Sequence, residues 1–179
     1  MDQIDPATIG AARCGNRMAQ GALLRELGDV WYRMVLRLLG DVDRAKEATQ
    51  ETALRFLKGL PRFEGRSGLK TWSLGIAINV AREMQRERRG EELVETAGRQ
   101  DGPDVELEQR ERVELVNRIL DELPLRQREA ILLRFFERMS VEETAEAMGC
   151  AGGTVKALVF QALRYMRRQL RASESLNHE

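Results

Sequence analysis

Three groups of residues in this chain have side chains whose types and spacing suit binding chemistry. The first is Phe63 and Trp72, which flank the glycine-bearing polar loop Glu64-Gly65-Arg66-Ser67-Gly68, with Asn79 further along the helix that follows. Aromatic faces stack on an unstacked nucleobase, and an amide pairs with a base edge. Trp72 reads equally as a core anchor; the two roles are compatible, because one end of an indole packs while its rim borders a pocket. The basic run Arg82, Arg86, Arg88 and Arg89 on the same helix suits phosphate, or else is the solvated basic end that the helix macrodipole favours. The second group is Thr154, Lys156, Ala157, Leu158, Gln161 and Arg164 near the start of the last helix, with Arg167, Arg168 and Arg171 toward its end. Side chains so placed meet base edges in a major groove while arginines grip phosphate, although Ala157 and Leu158 cannot hydrogen-bond to a base. The third is Glu47, Gln50 and Glu51, a polar helix face that suits docking or plain solvation alike.

No catalytic set accompanies them. Gly65-Arg66-Ser67-Gly68 lacks the lysine and the preceding strand of a P-loop. Cys14 and Cys150 lie far apart without CxxC spacing, and the single histidine, His178, stands near the end, so no metal set can be assembled from neighbours in sequence. The chain is read as a non-enzyme without cofactor.

The elements that position these residues are all helical by periodicity. Leu23, Leu27, Trp31, Val35 and Leu38 recur at helical spacing up to Gly40. Asp41 or Asp43 can cap the next helix, with Ala45, Ala48, Thr52, Phe56 and Leu60 inward, and Gly59-Leu60-Pro61 breaks it. After the polar loop, Leu69, Trp72, Ile76, Val80 and Met84 form one stripe. Periodicity lapses between Gly90 and Asp104, where glycines, Pro103 and acidic residues read as a linker. Beyond it Val113, Val116, Leu120 and Leu123 mark a helix, and Pro124 suits the first turn of another that runs through Ile131 and Leu132 to Phe135. Ser140-Val141-Glu142-Glu143 is a capping box, Gly149 offers a left-handed stop, and a final helix places Val155, Val159, Ala162 and Met166 inward. A short capped helix, a glycine turn and a longer helix with a basic end make a helix-turn-helix. The expected fold is all-α, two small helical domains joined by a flexible linker, the C-terminal one a helix-turn-helix.

Formal net charge is zero, which argues against a chain that coats DNA by bulk charge, so any nucleic-acid face must be local. With 42% apolar and 32% charged residues, the composition is far from that of a disordered chain. The acidic start and the absence of a long apolar stretch argue against a signal peptide or a membrane span, and a reduced cytoplasmic setting is expected.

The order of these features resembles the bacterial sigma factors of the extracytoplasmic-function (ECF) group of the sigma-70 family, over nearly the whole chain. Tyr32 to Asp41, with Ala45, Glu47 and Gln50-Glu51-Thr52, look like the part of region two that docks on the polymerase clamp helices. Arg62-Phe63-Glu64-Gly65, Trp72, Ile76-Ala77 and Asn79 look like the part that captures the melted minus-ten element. Leu123-Pro124, Arg126 to Glu129, Leu132-Leu133-Arg134, Ser140 to Ala145 and Gly153-Thr154-Val155-Lys156 look like region four, which binds the minus-thirty-five element. The resemblance implies an N-terminal segment at 1–22, region two at 23–90, a linker at 91–104, region four at 105–172 and a tail at 173–179. It implies core polymerase contacts from Asp41, Glu47, Gln50 and Glu51. Minus-ten contacts would come from Phe63, Glu64, Arg66, Ser67, Lys70, Trp72, Asn79, Arg82, Arg86 and Arg89, and minus-thirty-five contacts from Thr154, Lys156, Ala157, Leu158, Gln161, Arg164 and Arg168. The implied partners are core RNA polymerase, promoter DNA and an inhibitory anti-sigma protein, with no insertion into membranes. The chain departs from the family pattern at Arg44 and Lys46, at Ser73, Gly75 and Ile78, and at Ala157, Leu158, Phe160 and Gln161, positions expected to be contacts rather than core. Two other readings remain on the sequence: a helix-turn-helix regulator acting without being a polymerase subunit, and a helical protein-interaction module drawing on Leu158 and Phe160.

Overall fold

The computed structural model describes residues 4–90 and 107–176, with side chains over 4–87 and 113–173. The described residues form eight α-helices and no strand, in two compact units, Met1–Ala97 and Gly98–Glu179. Residues 91–104, read as the linker, lie outside the described residues.

In the first unit, helix α1 (Pro6–Arg13) starts where the Asp5 carboxylate accepts from the amides of Ala7 and Thr8, with Pro6 in the first turn. Asn16 then caps α2 (Arg17–Leu39) by accepting from the Ala19 amide. The helix therefore begins well before Leu23, where the apolar repeat begins. Its first turns are held by buried Ala12 of α1 and by Gln20, whose amide donates to the Ala12 carbonyl, so large apolar residues are not needed there. Gly40 ends α2 at φ +70°, and Asp41, not Asp43, caps α3 (Val42–Gly59), accepting from the Arg44 amide at 2.8 Å. A 3₁₀ turn, Leu60–Arg62, leads through the polar loop to α4 (Leu69–Gly90).

The core of this unit is where α2, α3 and α4 meet. Trp31, Met34 and Leu38 of α2, Ala48 and Phe56 of α3, and Leu74, Ala77, Ile78 and Ala81 of α4 are all buried. The α4 stripe expected from periodicity is corrected here. Because α4 packs against both α2 and α3, it buries a wider face centred on Leu74, Ala77 and Ile78, leaving Trp72, Ile76 and Met84 half-exposed on its flank. The departures at Ser73 and Ile78 are likewise core positions, not contacts. Ile78 is buried, and Ser73 accepts from the Trp31 indole at 3.0 Å while donating to the Lys70 carbonyl at 2.9 Å, so this buried pair is satisfied. Arg44 has a structural role as well: its guanidinium donates to the Met84 carbonyl at 2.5 Å, tying α3 to α4.

The second unit contains α5 (Leu107–Glu122), α6 (Leu125–Ile131), α7 (Val141–Met148) and α8 (Gly152–Leu176). Leu120, Leu123, Ile131 and Ala162 make a core cluster against which Val116, Val159, Leu163 and Met166 pack. Pro124 sits at the cap of α6 rather than in its first turn, and the helix does not continue regularly to Phe135. It widens into a π-helical turn, Leu132–Phe136, in which the Glu137 amide donates to the Leu132 carbonyl at 3.0 Å. Leu132 and Leu133 continue a buried run that begins at Glu129, while Phe135 and Phe136 are exposed. Helix α8 runs on to Leu176, into the segment read as a tail.

Arg138, just after this turn, has φ +56°, the one positive φ at a non-glycine position among the described residues. A left-handed residue with a Cβ costs about 1–2 kcal/mol, partly offset by the chain entropy glycine gives up on folding. Arg138→Gly is accordingly expected to stabilise the second unit by about 1 kcal/mol, raising its thermal midpoint by roughly 4–8 °C. An unchanged or lower midpoint in a calorimetric scan would show that Arg138 makes compensating contacts.

Candidate nucleic-acid interface

Where α3 and α4 of the first unit run side by side, they leave an open cleft of about 330 Å³. Its walls are Arg55 and Gly59 from α3, and Trp72, Ile76, Asn79, Glu83 and Arg86 from α4. A line of aromatic rings stands behind it. Trp31 and Phe56 are 5.1 Å apart between centroids, Phe56 and Trp72 5.4 Å, and Phe63 and Trp72 5.0 Å. Trp72 thus does both things its sequence context allowed: one side packs on the core and another borders the cleft. Gly59 makes this possible, since a Cβ there would stand 3.0 Å from the indole Cζ2.

Phe63 is only 8% exposed and supports Trp72 from behind rather than opening to solvent. In the loop, Glu64 and Arg66 pair with each other, Nε to Oε2 at 2.6 Å, and Ser67 is half-buried. Lys70 is half-buried on the first turn of α4. Asn79 is exposed, and its Oδ1 accepts from Arg82 Nη1 at 3.0 Å. Arg86 is exposed at the cleft wall, while the Arg89 side chain lies outside the described residues.

Two residues that sequence reasoning passed over belong to this cleft. Arg55 Nη1 donates to Glu83 Oε1 at 2.9 Å, with Nη2 2.7 Å from Oε2, and Arg55 Nε donates to Glu51 Oε1 at 2.6 Å. The hydrogen bond from Arg55 holds the Glu83 carboxyl below the ordinary carboxylate range, so it is ionised at neutral pH; the two carboxylates in turn push the Arg55 guanidinium up. Only the Glu51–Arg55 half of this network is local in sequence.

On the outward face of α3, Glu47 and Gln50 are exposed and Glu51 is half-exposed. Asp41 is occupied as the helix cap. Leu54, 65% exposed, shares this stripe and was missed. The signal available was an apolar residue directly opposite the buried positions Ala48, Thr52 and Phe56.

In the second unit, both capping-box bonds form: the Glu143 amide donates to Ser140 Oγ at 3.0 Å and the Ser140 amide to Glu143 Oε2 at 2.7 Å. Gly149, at φ +63°, turns the chain from α7 into α8. Val155 and Ala162 anchor α8 inward, and Thr154, Lys156, Ala157, Gln161, Arg164 and Arg168 are exposed. Leu158 is half-buried. Phe160 is 67% exposed on this outward face, where it borders an open groove with Leu163, Arg164, Arg167, Arg168 and Arg171. Gln161 Oε1 accepts from Gln127 Nε2 at 3.2 Å, linking α8 to α6.

No cluster of metal-ligating residues and no helix long and apolar enough to cross a membrane occurs among the described residues.

Known proteins share this organisation. Residues 23–91 match the family description Sigma-70 region 2, and residues 114–166 match Sigma-70, region 4. The chain is 36% identical over 133 residues to the ECF RNA polymerase sigma factor EcfG of Rhodopseudomonas palustris, spanning 71% of each. It is 31% identical over 165 residues to the ECF RNA polymerase sigma factor SigC of Mycobacterium tuberculosis, covering 90% of this chain and 88% of that one. In fold it is similar to CnrH, solved in complex with the cytosolic domain of CnrY, with a TM-score of 0.72 at 21% identity over 93% of this chain and 96% of that one. It is equally similar to the sigma factor RpoE of Bartonella quintana, solved with the anti-sigma factor NepR, with a TM-score of 0.72 at 24% identity over 84% of this chain and 96% of that one.

Proposed function

The chain belongs to the ECF group of the sigma-70 family, and from that premise we propose that it binds core RNA polymerase and directs initiation at promoters carrying its own minus-ten and minus-thirty-five elements, doing no chemistry itself. The observation that carries this reading is the α3–α4 cleft, in which a supported indole, an exposed amide and an exposed arginine converge on a space suited to one unpaired base. Asn79 reads the captured base, Trp72 and Ile76 give it a surface to stack on, and Arg82, Arg86 and Arg89 follow the strand's phosphates. The loop residues Glu64, Arg66 and Ser67, with Lys70, border the same strand, and Phe63 acts through Trp72.

The docking face for core polymerase is the α3 stripe of Glu47, Gln50 and Glu51, with Leu54 as its apolar centre. In the second unit, α8 enters the major groove at the minus-thirty-five element. Thr154, Lys156 and Gln161 face base edges, Ala157 and Phe160 make apolar contacts of the kind a thymine methyl accepts, and Arg164 and Arg168 bind phosphate. Two modest sites on one chain gain affinity through effective concentration. An inhibitory anti-sigma protein that covers these surfaces, and action in the cytoplasm where the polymerase works, belong to the same reading.

One reconstitution tests it: purified chain is added to core polymerase and specific transcription starts are mapped. Asn79→Ala is expected to cut open-complex formation about tenfold, the scale of one lost base contact. Gln50→Ala with Glu51→Ala is expected to weaken co-purification with core polymerase while costing no more stability than the half-exposed Glu51–Arg55 pair supplies, about 0.3–0.5 kcal/mol. Duplex DNA binding with no polymerase-dependent starts would favour the stand-alone regulator instead.

A further inference from the structure

A carboxylate is out of place in a cleft that only holds a nucleic-acid backbone, because phosphate repels it. Glu83 nonetheless lines this one, one helical turn beyond Asn79 on α4, and its carboxylate is held across the cleft by two contacts from Arg55, at 2.9 and 2.7 Å. Arg55 is itself steadied by Glu51. The acceptor at Glu83 is therefore preset in position, and an ionised carboxylate only accepts.

That chemistry discriminates between bases. Cytosine and adenine present an exocyclic amine next to a ring nitrogen acceptor, whereas thymine presents a carbonyl oxygen where cytosine has its amine. With Asn79 Oδ1 engaged by Arg82, the Asn79 amide offers N–H donors. A donor at Asn79 and an acceptor at Glu83 one turn apart match the acceptor and amine edge of cytosine or adenine, and set two oxygens against each other if thymine enters.

We propose that Glu83, positioned by Arg55, is a specificity-determining residue that selects cytosine or adenine over thymine at the one unpaired position the cleft captures. The proposal rests on the reading of the cleft as a base pocket. It differs from a purely structural role, in which Glu83 would only brace α3 against α4 and would treat every base alike.

The test uses holoenzyme assembled from the full chain and core polymerase, on promoter DNA with a pre-melted minus-ten segment. Each unpaired position is set in turn to cytosine, adenine or thymine. Wild type is expected to prefer cytosine or adenine over thymine by about tenfold at one position, and Glu83→Gln, whose amide can also donate, to bring that ratio within about twofold. Pyrimidin-2-one, which lacks the amine but keeps the ring-nitrogen acceptor and carries no opposing oxygen, is expected to lose part of what thymine loses with wild type and little with Glu83→Gln. A thermal midpoint for Glu83→Gln confirms that the comparison is between folded proteins. If Glu83→Gln lowers binding equally on every template, or if wild type has no base preference, the proposal fails. Trp72→Ala separates this from failure of the underlying reading. If it weakens binding while the Glu83 ratio stays put, the cleft still holds a base and only the role of Glu83 is lost; if it changes nothing, the cleft itself is not a base pocket.

Discussion

Replacing Phe56 with alanine is expected to destabilise the first unit by about 3–5 kcal/mol, the cost of deleting a buried aromatic ring and leaving its cavity. Phe56 is fully buried, and its ring lies between Trp31 and Trp72, at 5.1 and 5.4 Å. The loss is a large share of the 5–15 kcal/mol that separates folded from unfolded domains. It reaches the cleft as well, because Trp72 would lose its inner support and relax into the void. These are the chain's two tryptophans, so fluorescence during urea unfolding reports on this site directly. A midpoint change worth less than about 1 kcal/mol would mean that the neighbouring side chains close the gap, which close-packed interiors rarely achieve.

Arg126→Ala is expected to cost the second unit about 2–3 kcal/mol. Glu129 is fully buried, and Arg126 Nη1 stands 3.3 Å from its Oε2 while donating to the Met148 carbonyl at 3.2 Å. Removing the cation beside a buried carboxylate typically costs 3–5 kcal/mol. The figure is lower here because the Arg126 side chain is 39% exposed and water screens part of the attraction. The same guanidinium holds the end of α7 against α6, so the turn that leads into α8 should also loosen. Glu129→Gln on the Arg126→Ala background is expected to recover part of the stability, since a neutral amide tolerates burial better. Denaturation of the single and double variants measures both effects, and a double variant no more stable than the single one would remove the charge argument.

How far the sequence reveals this protein depends on how local each signal is. The capping box at Ser140 and Glu143 and the stop at Gly149 are read correctly, and the cap of α3 is narrowed to Asp41 or Asp43, because donor and acceptor are within three or four residues of each other. Periodicity places α2 and α3 for a similar reason: each presents one dominant buried face. It fails for α4, which lies against two helices at once and so buries Ser73 and Ile78 where a single stripe would expose them. It fails again after Ile131, where the helix widens into a π-helical turn instead of running regularly to Phe135. Leu54 escapes a linear reading because an apolar letter reads as core unless the helix's phase is known.

The sequence by itself determined the all-helical class, most helix ends and the presence of Trp72, Asn79 and the basic residues of α4 and α8. Tertiary structure alone decided which of them meet. Arg55 and Glu83 are 28 residues apart and share no local pattern; they pair because α3 and α4 pack along the same core. Caps and turns are made by hydrogen bonds between near neighbours, so a linear reading finds them. A cleft is the space left when distant side chains have filled everything else, and its lining follows from packing that no short window of sequence contains.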